Sequence, residues 1–143
     1  MNSVIVKETF NASMEKVWEA LTDPSKLKEW YFDIGEFRAE VGFEFTFMGQ
    51  GTSGTPYKHL CQVTEVIPLK KLQYSWKYEG YPGNSLVTFE LYEEDKQTHL
   101  TLTHLLLEPF PLDNPDLKFE NFHEGWSQLI KQILRKFLTG EEV

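Results

Sequence analysis

The chain has 143 residues, and its 14 Lys and Arg against 22 Asp and Glu give a formal net charge of -8. That length supports one core without covalent staples, and the lone Cys61 excludes an internal disulfide framework or a multi-cysteine metal cluster. The acidic balance argues against nucleic acid or an anionic membrane as the main partner.

The opening MNSVIVKETF has neither the basic start nor the apolar run of a signal peptide, and no apolar stretch approaches a bilayer span, so a cytoplasmic protein without membrane insertion is expected. No repeat, low-complexity tract or linker divides the chain, so 1–143 is expected to form a single domain. Val4, Val6, Glu8 and Phe10 alternate with Ile5, Lys7 and Thr9, which predicts a strand over 4–10. Ser13 is placed to cap a helix bearing Met14, Val17, Trp18 and Leu21. Asp23-Pro24 ends that helix and opens another short one, with Leu27, Trp30 and Tyr31 on its apolar side.

From 36 to 107 the apolar period becomes two. Phe43, Phe45 and Phe47 share a face, then Tyr57–Ile67 follows, then Leu72, Tyr74, Trp76 and Tyr78. Val87, Phe89 and Leu91 come next, and last Leu100, Leu102, His104 and Leu106. Short polar turns between these runs predict an antiparallel meander of about six strands here, plus the one at the N-terminus. Asn114-Pro115 offers a cap and first turn for the longest element, a helix of about 23 residues spanning about 35 Å. Phe119, Phe122, Trp126, Leu129, Ile130, Ile133 and Phe137 form its stripe. Glu120 and Glu124 sit early, Lys131, Arg135 and Lys136 late, and Gly140 can end it. One apolar sheet face and one apolar helix stripe have a joint solution, an α+β fold in which a curved sheet wraps the helix while two small helices close an end.

That order resembles the helix-grip fold of the START/Bet v 1-like superfamily, and more narrowly its branch related to the activator of Hsp90 ATPase. The residues that carry the resemblance are Val17-Trp18-Glu19-Ala20-Leu21-Thr22-Asp23-Pro24, Leu27 with Trp30, Val63-Thr64-Glu65-Val66-Ile67-Pro68 leading to Leu72 and Trp76, Val87–Leu91, Thr98–His104 and Gly125-Trp126. The resemblance implies an apolar or amphipathic ligand held between sheet and long helix. A few members of such families are cyclases or other enzymes.

Several local motifs have ordinary explanations. Gly49-Gln50-Gly51-Thr52-Ser53-Gly54 matches a dinucleotide-binding pattern, which works only where it opens a helix whose amides hold a pyrophosphate. Here Pro56 and a β-branched run follow, so the segment reads as a hairpin loop and a flap at a cavity mouth. Ser13-Met14-Glu15-Lys16 spells S-x-x-K without the elements that accompany a nucleophile. His123-Glu124 lacks the second metalloprotease histidine, because position 127 is Ser127. His59, His99, His104 and His123 are not at metal-ligand spacings, and no metal or cofactor is expected. Strand parity points His99 outward and His104 inward, while His123 sits one position from the stripe. Glu40 and Glu44, with Arg38, read as a solvated rim cluster, and Cys61 as a small buried hydrophobe on the face of His59 and Val63.

The aromatics set the functional expectation. Trp18, Trp30, Tyr31, Phe43, Phe45, Phe47, Tyr74, Trp76, Phe89, Phe122 and Trp126 belong to inward sets of different elements, and large rigid rings can line a space without collapsing into it. The expected function is binding of a small hydrophobic, aromatic or lipid-like molecule. Its expected site is Trp18, Trp30, Phe45, Phe47, Tyr74, Trp76, Phe89, His104, Phe122 and Trp126. Tyr74, His104 and Gln62 would be its polar groups, and the 49–54 loop with the Trp30–Gly35 segment its gate. The alternatives are a cyclase- or dehydratase-like enzyme using His104 with a tyrosine, and a module that contacts a chaperone partner through Glu108–Glu124.

Overall fold

The computed structural model describes residues 3–51, 53–111, 113–119 and 121–140. Six strands form one antiparallel sheet: β1 (Ser3–Phe10), β2 (Glu44–Gln50), β3 (Pro56–Ile67), β4 (Lys71–Tyr78), β5 (Asn84–Glu94) and β6 (Gln97–Glu108). Their spatial order is β1-β6-β5-β4-β3-β2. The strand total, with the first included, is therefore six among the described residues. The run expected to hold six more yields five, because the segment between Gly35 and Gly42, both at positive φ, buries Phe37 without joining a ladder.

The meander from β2 to β6 returns the chain beside β1, where Val4 faces His104 and Val6 faces Leu102. Between β1 and β2, two short helices carry the chain from one sheet edge to the other: α1 (Met14–Thr22) and α2 (Pro24–Trp30). Their ends are as the sequence implies. Ser13 Oγ accepts from Lys16 N (3.2 Å), Asp23 Oδ1 accepts from Ser25 N (2.9 Å), and Pro24 opens α2. Trp30 locks the two helices together by donating its indole N–H to Ala20 O (2.7 Å).

The C-terminal helix departs from expectation in two ways. Asn114-Pro115 caps only a 3-10 turn, Pro115–Leu117, and the long helix begins at Asn121. It then runs as α3 (Asn121–Ser127), a π-helical segment (Gln128–Leu134) and α4 (Arg135–Thr139), ending where Gly140 turns left-handed at φ 76°. Glu120, expected in its first turn, lies outside the described residues.

The buried positions are Trp126, Ile130, Leu134 and Leu138, each four apart, whereas Ile133 of the expected stripe is 45% exposed. In an α-helix a four-residue step overshoots one turn by about 40°, so such a stripe would drift by about 120° over three steps. The wider i→i+5 turns of the π segment absorb the drift and keep one face on the sheet. At its far end the helix is tied to β1. Arg135 pairs with Glu8 (2.7 Å), donates to Thr9 O (3.1 Å) and lies over the Phe10 ring.

Candidate ligand-binding site

One end of the helix–sheet seam is not filled. A cavity of about 210 Å³ opens between the start of β3, the end of β4, α3 and the loop after α2. Its walls follow from strand parity. Tyr57 and His59 alternate inward on β3, and Trp76 and Tyr78 do so on β4, all of them 7% exposed or less. Phe122, Gly125 and Trp126 of α3, with Leu129 one turn on, form the roof, and Phe32 forms one side.

The rings support one another. Phe32 stacks on Phe47 (centroids 4.4 Å apart), Phe47 stacks on His59 (4.4 Å), His59 meets Trp76 edge-on (4.8 Å), and Trp76 leans on Trp126 (5.5 Å). Such aromatic contacts have preferred geometries beyond simple burial, so the wall is stiff.

The mouth is polar and is closed by a hydrogen-bonded strap. Asp116, half-buried in the 3-10 turn, accepts from Ser53 N (2.9 Å), Ser53 Oγ (2.5 Å) and Tyr57 OH (2.7 Å). Asn114 Nδ2 donates to the same tyrosine oxygen (3.2 Å). Gly49 and Gly51 of the 49–54 loop are explained here without any nucleotide. A Cβ on Gly49 would stand 2.9 Å from His59 Cε1, and one on Gly51 would collide with the Asp116 carboxylate. Thr52 lies outside the described residues.

The two buried histidines, His59 in the wall and His104 behind it, differ in what they touch. His59 donates from Nδ1 to Tyr57 O (3.0 Å), and burial lowers its pKa to about 4 despite nearby carbonyls. His104 is deeper, and burial lowers its pKa to about 3. Its hydrogen bonds fix its tautomer. Trp126 Nε1–H can only donate, so Nδ1 must accept (3.0 Å), and Nε2–H then donates to Ser85 Oγ (2.7 Å), which donates in turn to Trp76 O (2.9 Å). Both nitrogens are occupied in the neutral form. His104 thereby joins the backbone of β4 to the indole that roofs the cavity.

Trp76, Phe122 and Trp126 line the cavity, and Phe47 and His104 stand directly behind that lining. Phe89 meets Trp126 edge-on (5.9 Å), and Phe45 abuts Tyr74 (5.0 Å), whose hydroxyl bonds Tyr31 OH (2.7 Å) in the filled interior. Burial pushes both phenols above their ordinary pKa. Trp30 and the half-buried Trp18 belong to the small helices, outside the lining.

Gln62 is exposed, because the inward parity of Cys61 and Val63 forces it out, and His123 is exposed as well. Arg38 pairs with Glu36 (2.8 Å), while Glu40 and Glu44 are exposed. Lining residues outside the expected site include Tyr57, His59 and Tyr78, although parity sets His59 with Cys61 and Tyr78 with Trp76, and Asp116, which no sequence pattern marks. In the 108–124 segment, Phe110 and Leu117 are buried.

Residues 11–138 match the model of the family described as activator of Hsp90 ATPase homolog 1-like protein. The chain belongs to that family. No curated protein matches the sequence. Among solved structures, protein CV1439 from Chromobacterium violaceum is 23% identical with a TM-score of 0.79, each chain covered to 96%. Protein MLL2253 from Mesorhizobium loti is 26% identical with a TM-score of 0.77, both chains covered to 99%. CalU16 from Micromonospora echinospora is 26% identical with a TM-score of 0.73 over 99% of this chain and 76% of that one. These likenesses place this member of the activator-homolog family among proteins that share its sheet and helix. No helix among the described residues is long and apolar enough to cross a membrane.

Proposed function

We propose that the protein is a single binding domain for a small aromatic molecule, seated in the cavity between β3, β4 and α3. The observation that carries this reading is the ring-lined space of about 210 Å³. Apolar cavities of about 150 Å³ hold benzene, so a one- or two-ring ligand fits and a long acyl chain does not. At about 25 cal/mol per Å², roughly 200 Å² of buried ligand surface contributes about 5 kcal/mol before association costs.

Trp76, Phe122 and Trp126 would touch the ligand. Phe45, Phe47, Tyr74, Phe89 and His104 would hold those rings in place, and Trp18 and Trp30 would set the small helices that close the neighbouring end. The arrangement supports binding over acid–base chemistry by His104, whose nitrogens are committed to Trp126 and Ser85. It also supports a small ligand over a chaperone contact through 108–124, since Phe110 and Leu117 of that segment are buried and Phe119 and Phe122 pack against the core.

Native mass spectrometry of the protein purified from its own host tests this. A retained small mass, together with tryptophan fluorescence quenched by one- or two-ring aromatics, is expected. An empty protein whose fluorescence no such aromatic alters would end the proposal.

A further inference from the structure

The same cavity carries a charge preference. We infer that the ligand is a neutral or cationic aromatic, such as an arylalkylamine, and that aromatic carboxylates are excluded, with Asp116 as the residue that sets this preference. The inference rests on the binding reading above and adds the chemical class.

Among the described residues no Lys or Arg lines the cavity. Lys58, the cation nearest in sequence on β3, points to the outer face and pairs with Glu79 (3.6 Å). His59 is the one titratable base among the described lining residues, and burial keeps it neutral at pH 7. A carboxylate entering here would lose its water without meeting a counter-charge, which is costly.

An ammonium meets the opposite situation. Trp76 and Trp126 both line the cavity, and indoles are the best cation–π partners among side chains. The Asp116 carboxylate stands at the mouth, and the overall charge of -8 favours cations at longer range. A ligand whose ring lies against the tryptophans and whose short amine arm points outward would place unlike charges together.

Three near-isosteric probes test the inference by calorimetric titration: phenethylamine, ethylbenzene and phenylacetate. The expected order is phenethylamine tightest, ethylbenzene next and phenylacetate weakest, with tenfold or more between the two charged probes. In Asp116→Asn the gap between the charged probes shrinks several-fold. Ser53→Ala, which removes a loop hydrogen bond and keeps the charge, retains the original order. Equal or tighter binding of phenylacetate by the wild-type protein overturns the inference and leaves the cavity reading standing. An Asp116→Asn protein that keeps the full gap overturns the role of Asp116. Binding of none of the three overturns the cavity reading and the inference with it.

Discussion

The two ends of the helix–sheet seam are packed from different residues. Near α4, Leu134 and Leu138 meet a layer made of Val6, Phe10, Val17 and Ala20, none more than 2% exposed. Near α3, Phe122 and Leu129 face Tyr57, His59 and Tyr78 across open space, while Trp126 leans on Trp76. Branched aliphatic side chains interdigitate and fill volume. Rings braced edge-to-face against one another keep their outlines and leave a gap. One end thus holds the fold together, and the other spends part of the possible packing on a site.

Truncation at the closed end should produce the largest effect. Leu134→Ala is expected to cost about 2–5 kcal/mol by urea unfolding, as for other fully buried leucines. Leu129→Ala at the open end should cost under about 1.5 kcal/mol, since it already borders a void; equal losses would erase the contrast.

Acid should act on the wet end and its backing. Unfolded, His59 and His104 protonate near pH 6.5; folded, they resist until about 4 and about 3. Stability is therefore full above about pH 6.5 and falls as pH drops through that window, by on the order of a few kcal/mol for each histidine. In His59→Gln the slope between 6.5 and 4 should be shallower, and an unchanged slope would remove His59 from the account.

A smaller loss is expected from Trp126→Phe, which keeps a ring but leaves His104 Nδ1 buried without its donor, about 1–3 kcal/mol. Smallest, and opposite in sign, is Gly125→Ala. A Cβ there meets nothing within 4 Å, and glycine inside a helix costs about 0.5–1 kcal/mol relative to alanine, so the melting temperature should rise. Gly125→Leu would instead fill the cavity roof and weaken aromatic binding.

Much of the fold was legible in the sequence. Period-two runs placed Phe45, Phe47, Tyr74, Trp76, Val87, Phe89, Leu100 and Leu102 inward, and Ser13, Asp23 and Gly140 cap as their chemistry implies. The helix stripe was misread at Ile133 because a 3.6-residue period was assumed where the backbone widens. Patterning says which face a residue takes, and that sufficed for the sheet. It does not say how far apart two faces stand, so which rings border the space and which are packed solid could not be separated. Asp116 was invisible for another reason: its partners, Ser53 and Tyr57, lie some sixty positions away and are joined to it only by the folded loop.

The wide turn at Gln128–Leu134 also sets the phase of the two halves of the helix. Were the same seven residues to tighten into ordinary α geometry, the four-residue stripe would regain its drift and Trp126 would sit about 120° round the axis from Leu138. Phe122 and Trp126 would then swing off the sheet while Leu134 and Leu138 stayed docked. The pitch of one stretch of helix thus separates a scaffold that encloses a chamber from the same scaffold without a roof.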